Sequence, residues 1–300
     1  MSPRVLGAAA CAALALSLSP HPAGAAATPC DPGRLEAIPA RPASAAEGSA
    51  FAREVAALSG PARDAVIRDA VLAGDIPQFL RRLVPVSIVG EDADGRVELT
   101  LCVLPDYLAV GSDRDFVFVP MGLQAALDIA RRFGFELPTR PLVDAIYASA
   151  VVRLEPQPLP ADDAMRSTAT VVLHNALIAM QRAARSAPLG VLTSGHKKDL
   201  VLTSRLWMLP GRVAIYGWHR ASGAPIQPLS TVHGARYADY SHGVRLVSDV
   251  AYVNGSPRPL TDIYAEPRLA RLLTAEAPWT QFRAHLAALR DHLAAERSGG

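Results

Sequence analysis

The spacing of apolar and polar positions changes several times along the chain, and each change predicts an element. Ser49 to Leu58 and Pro61 to Leu72 carry apolar residues at helical spacing, and Gly74-Asp75 closes the second run. The period then shortens to two. Val86-Ser87-Ile88-Val89 and Val97-Glu98-Leu99-Thr100-Leu101 alternate on either side of an Asp-Gly turn, which predicts a hairpin from Val84 to Leu104. Tyr107 to Val110 and Phe116 to Val119 form a second predicted pair around Gly111 to Asp115. Leu123, Leu127, Ala130 and Phe133 return to helical spacing, and Thr139 stands where it would cap a helix with Pro141 in its first turn.

The proline-rich run from Glu155 to Pro160 is the best internal boundary. A long helix is expected from Arg166 to Arg185, with His174, Ile178, Gln181 and Arg185 on a common side. Strands are expected over 200–207, 212–218 and 244–253, followed by two helices. The last of these places Trp279, Phe282, Leu286, Leu289 and Leu293 on one face. Strands clustered between helices, without regular βαβ alternation, indicate an α+β fold: a mixed or mostly antiparallel sheet flanked by helices at the N- and C-terminal ends. Residues 48–154 make an N-terminal α/β part. Residues 161–296 make a C-terminal α/β part, either separate or continuous with the first.

The N-terminus reads as a targeting segment. Arg4 precedes an apolar run from Val5 to Leu18, and Ala23-Gly24-Ala25 offers a small-residue cleavage site. That run is shorter than the roughly 18 to 20 residues a membrane span needs, and no later stretch qualifies, so no membrane span is expected. Residues 1–25 are assigned as a signal peptide, cleaved near Ala25, and 26–47 as an Ala/Pro-rich arm. The mature protein is therefore expected to be secreted or periplasmic. In an oxidising compartment Cys30 and Cys102 can form a disulfide, a long loop closure that stabilises by about 4 kcal/mol on the chain-entropy model. Two separate thiols are the alternative. The formal charge of +2 contains no basic block, which disfavours nucleic acid as a partner. No Gly-rich phosphate loop follows a strand, so no nucleotide cofactor is expected.

Histidine changes the picture most. Five of the eight fall between His174 and His242, and histidine is both the commonest metal ligand and the side chain most easily set to either protonation state near neutral pH. In the segment from Val232 to Arg245, His233, Asp239 and His242 could supply the three protein ligands of an open catalytic zinc site, provided Asp239 to His242 forms a helical turn. Upstream, His196 and Asp199 could pair as a histidine–carboxylate couple, and Lys198 could hold an anion. His219 ends a strand, where it suits an active-site rim. Trp218, Tyr237 and Tyr240 could line a groove for a sugar or peptide. Ser241 keeps a serine nucleophile open, and Arg245 an oxyanion partner. Ser112, Asp113 and Asp115 suggest either acid/base groups or ordinary turn acids.

His233-Gly234 followed by Ser241-His242-Gly243 and Arg245 resembles the motif of L,D-transpeptidases. That resemblance implies acyl transfer, but Val244 occupies the place of the nucleophilic Cys, and Arg245 comes one position early. His233 to Asp239 is also similar to the His-to-Asp zinc-ligand spacing of D-Ala-D-Ala-type metallopeptidases, one residue shorter. Both likenesses fall within residues 233–245 and assign no family. The expected function is a secreted hydrolase of amide or related bonds in cell-wall peptide or another extracellular polymer. Its catalytic residues would be His219, His196, Asp199 and Ser241. Lys198, Arg245, Trp218 and Tyr240 would bind a peptide or polysaccharide, and zinc would sit on His233, Asp239 and His242. The alternative is a non-catalytic glycan- or peptide-binding or envelope-assembly protein.

Overall fold

A computed structural model describes residue 30, residue 35 and residues 37–298. The expected signal peptide and part of the Ala/Pro-rich arm lie outside the described residues. The fold is α+β with mostly antiparallel sheets. Helices α1 (Gly48–Glu54) and α2 (Gly60–Leu72) precede the hairpin β1 (Val84–Asp92) and β2 (Gly95–Val103), whose residues pair in uninterrupted antiparallel register around the Asp-Gly turn. The second expected pair is β3 (Ala109–Gly111) with β4 (Phe116–Phe118). Next come α3 (Leu123–Phe133), β5 (Phe135–Glu136) and α4 (Arg140–Ser149), then β6 (Val152–Arg153) and the long helix α5 (Thr168–Ala184).

Thr139 stands at the N-terminus of α4 as expected, yet its hydroxyl does not cap the helix. It donates instead to the carbonyl of Leu273. On α5 the buried stripe is Val171, His174, Ile178 and Arg182. Gln181 and Arg185 fall outside it, because a 3.6-residue period brings Arg182, not Gln181, beneath Ile178.

The second half contributes β7 (Thr193–Ser194), β8 (Lys198–Leu200), the short helix α6 (Arg205–Met208), β9 (Ile215–His219), β10 (Pro225–Ser230), β11 (His242–Gly243), β12 (Val247–Val253) and β13 (Ser256–Pro259). The strand expected over 200–207 therefore ends at Leu200. Glu276 is the physical reason. Its carboxylate accepts from the Thr203 hydroxyl and from the Ser204 N–H at 2.7 Å, and this fixes a turn that opens α6. Three helices, not two, close the chain: α7 (Leu260–Ala265), α8 (Pro267–Leu273) and α9 (Phe282–Ser298). All five residues of the expected Trp279–Leu293 stripe are buried.

The larger sheet runs β1-β2-β12-β13, with β5 also on β12, so strands from both halves share one sheet. The smaller runs β10-β9-β8-β11. In it β8 lies between β9, antiparallel, and β11, parallel, which aligns Lys198 with both Gly217 and His242, and Asp199 with both Tyr216 and Gly243. Three segments distant in sequence are brought side by side. The structure places Cys30 and Cys102 at bonding distance, with Cα atoms 5.4 Å apart. Among the described residues no helix is long and apolar enough to cross a membrane.

Helix α9 docks partly through Arg290, whose guanidinium stands 4.0 Å from Glu136 on β5. Burial pushes the Glu136 carboxyl up to about 7, with Arg290 acting against the shift. A carboxyl whose folded pKa lies above its unfolded value binds more protons in the folded state. Stability therefore falls as pH rises between about 4.5 and 7. Urea titrations should show this protein losing stability on the order of 2 kcal/mol relative to Glu136→Gln between pH 4.5 and 7.5, and parallel pH curves for the two would contradict the assignment.

Candidate functional site

The sheet pairing gathers a network of charged and polar side chains that is almost wholly buried. Lys197, His174, His196, Ser241, His242 and Arg245 have essentially no exposed surface, and Asp106, Asp199 and Asp239 are buried with them. Its centre is Lys197, just before β8. The Lys197 Nζ donates to the Tyr240 carbonyl at 2.6 Å and lies 3.2 Å from His174 Nδ1 on α5. Among the described residues it makes no ion pair with a carboxylate. Burial pushes its ammonium down to about 7, against the more distant pull of Asp239 and Asp106.

Asp239 to His242 is not helical, as the sequence expectation required, but a hydrogen-bonded turn that leads into β11 and still brings the two side chains to one side. The His242 N–H donates to the Asp239 carbonyl at 3.1 Å, and the side chains approach to 3.8 Å. Asp239 Oδ1 accepts from the Ser241 hydroxyl at 2.5 Å and from the Ser241 N–H at 2.8 Å. Burial opposes charge on Asp239, but the neighbouring His242, Ser241 and Lys198 hold its carboxyl below the usual range. Burial pushes His242 down to about 4 and His174 far below the ordinary histidine value. Both rings are therefore neutral at pH 7. His174 Nε2, both nitrogens of His242 and Trp218 Nε1 are buried without a hydrogen-bond partner, an arrangement that proteins usually resolve with a ligand or water.

Lys198, half-buried, is the most open member of this group. Its Nζ sits 5.0 Å from the centre of the Trp218 ring, a cation–π geometry. Trp218 has φ of 57°, directly after Gly217 at 104°. A bulky side chain there is strained, and such strain concentrates at functional sites. The consequence is that the indole packs beside both His174 and Tyr240.

Other expected residues are placed differently. His196 pairs with Asp106, at 3.2 Å, and not with Asp199. Asp106 also binds Arg182 of α5 at 2.6 Å. Asp199 accepts from the Tyr107 hydroxyl at 2.8 Å and lies 3.9 Å from Arg245. The expected His196–Asp199 couple fails because His196 lies in the bend before β8 and Asp199 in the strand, and each finds its own partner from the segment at 106–107. Arg245 is fully buried. Its terminal nitrogens donate to the Leu104 and Thr193 carbonyls, both at 2.7 Å, and its guanidinium covers the Tyr107 ring. Tyr240 lines no open groove, since its hydroxyl exchanges hydrogen bonds with the Leu159 backbone.

His233 stacks on Tyr237, ring centres 4.0 Å apart, and the Tyr237 hydroxyl donates to Asp239 Oδ2 at 3.1 Å. The three expected zinc ligands thus share a neighbourhood, with the Tyr237 ring packed against both histidines. Among the described residues no group of three or more His, Cys, Asp and Glu is arranged to hold a metal ion. Asp115 holds Ser49 at the start of α1, and Asp113 accepts from the Phe79 N–H, so those loop acids serve the fold.

His219, itself buried, lines the floor of an open cleft of about 450 Å³. Its Nε2 lies 3.0 Å from Asp144 Oδ1, which also accepts from the Tyr216 hydroxyl at 2.8 Å. Asp144 and Asp106 carry this chemistry without having been expected from the sequence, and Lys197, expected with Lys198 only as an anion holder, is enclosed instead. Asp106 left a trace, as the lone charged residue between Leu99 and Gly111. A charge inside so apolar a run needs a buried partner.

No family of known proteins, no curated protein and no solved structure matches the chain.

The bare Cα of Gly243 lets β11 close against β8. A Cβ there would meet Tyr107 Cδ1 at 2.6 Å and Lys197 Cβ at 2.8 Å. Gly243→Ala should cost about 1–3 kcal/mol by overpacking, read from its denaturation midpoint. Wild-type stability would mean that the two strands are not in this contact.

Proposed function

We propose that the chain is an extracytoplasmic hydrolase of amide or related bonds in cell-wall peptide or another polymer, working by general acid–base chemistry. One observation carries this reading: Lys197, enclosed beside neutral His174 and the Asp239–Ser241–His242 turn, has its pKa brought near 7. A base is most effective when its pKa lies near the working pH, and a buried lysine brought down to neutrality is a recognised means to that end. In this scheme Lys197 accepts a proton from a water molecule that attacks the substrate, and the Ser241 hydroxyl orients Asp239. Lys198, at the half-buried edge, steadies negative charge developing on the substrate. Secretion rests on the leader pattern at residues 1–25.

A second reading is favoured by the burial itself. With Lys197, Ser241 and His242 closed from solvent, the same network would serve a non-catalytic module that grips a glycan or peptide at the Lys198–Trp218–Tyr237 edge.

The test is release of new amino groups from peptidoglycan fragments and peptides by the mature protein. Release should rise with pH through about 7 and fall by about 10² or more in Lys197→Met. Release by the methionine variant at the wild-type rate would remove Lys197 from the mechanism, and no release from any substrate would favour the binding module. Metal is tested separately, because a zinc ion on His233, Asp239 and His242 would require Tyr237 to shift. The proposed chemistry predicts that protein purified without a His tag keeps its activity in a chelator. Loss of activity there, restored by zinc, would establish the metal-dependent form.

A further inference from the structure

We propose that the cleft at His219 binds a small zwitterion, the free amino-terminal end of a short peptide or an amino acid, through Asp144. The cleft is lined by Asp144, Tyr147, Arg153, Tyr216, His219 and Ser222 among others, and its size falls within the range of small-molecule sites. Asp144 projects from α4 with its side chain about half exposed. Both of its protein donors, the Tyr216 hydroxyl and His219 Nε2, meet the same oxygen, Oδ1. Oδ2 is left to accept from a ligand, on a carboxylate whose direction is already fixed. Such preorganisation lowers the cost of binding.

The neighbouring groups define the ligand. One carboxylate is too few for a calcium or magnesium ion, which takes six or more oxygens. Stacking of a sugar on an open aromatic face is also disfavoured. Tyr147 is stacked on His219 with ring centres 4.5 Å apart, and the Arg153 guanidinium lies 5.2 Å from the same ring. An ammonium group suits Oδ2, by a charge-assisted hydrogen bond. A purely cationic ligand would suffer from the surrounding charge, since Arg153 lines the cleft and Arg140 lies 6.0 Å from the Tyr216 ring centre. Arg153 is held in place by hydrogen bonds to the Tyr147 and Ala148 carbonyls. A ligand that pairs an ammonium with a nearby carboxylate meets both signs.

The proposal does not depend on Lys197 acting as a base, because binding alone reads it. Calorimetric titration of the whole mature protein with L-alanyl-L-alanine should give saturable binding at millimolar concentration. Its N-acetyl derivative, lacking the ammonium, should bind about tenfold or more weakly, and Asp144→Asn should weaken the unmodified dipeptide by a similar factor. On the unaltered protein, amide resonances of Ala221, Ser222 and Gly223 should shift during the titration. Equal binding of the acetylated dipeptide, undiminished binding to Asp144→Asn, absence of binding up to about 20 mM, or shifts confined to another surface would each overturn it.

Discussion

The site depends on enclosing one ammonium group without a carboxylate at its side. Lys197 is fully buried, and its nitrogen meets a backbone carbonyl and an imidazole. Burying a full positive charge in that way is so costly that the group gives up its proton near neutrality. A fold seeking stability alone would place a leucine or methionine here, or pair the lysine directly with an acid. The surroundings instead keep two imidazoles neutral and one carboxylate, Asp239, ionised. The result is a set of proton acceptors at pH 7 with different strengths, which is the pattern expected of a site that moves protons.

Strand pairing makes this enclosure. β8 is three residues long and could not persist alone, but β9 and β11 flank it and fix Lys198 opposite Gly217 and His242. Helix α5 lays His174 over the lysine, and Arg182 from the same buried stripe reaches Asp106 beyond it. Asp106 then holds His196, and Tyr107, next in the chain, holds Asp199. His196 and Asp199 beside β8 are thus each held by a carboxylate or hydroxyl from another segment, whereas the lysine at the centre meets only a carbonyl and an imidazole.

Much of this was legible in the sequence where local pattern decides structure. The Val84–Val103 hairpin follows from alternation around an Asp-Gly turn, and the Trp279–Leu293 stripe from helical period. The approach of Asp239 and His242 was legible only in part, because a tight non-helical turn entering β11, not the helical turn expected, brings them together. What could not be read locally was set by distant partners. Glu276 ends the strand expected over 200–207 from some seventy positions away. His196 and Asp199 look like a couple in sequence, yet Asp106 and Tyr107 separate them. Lys197 and Lys198 look alike as a dipeptide. Only the bend before β8 sends Lys197 into the core and leaves Lys198, the first strand residue, at the edge.

The most direct measurement is a nuclear magnetic resonance titration of the Lys197 side chain, assigned by comparison with Lys197→Met. The account predicts a single proton lost with a midpoint near pH 7, far below an exposed lysine. An ammonium that stays charged above about pH 9 would contradict it, and the network would then be a structural ion cluster without a base at its centre.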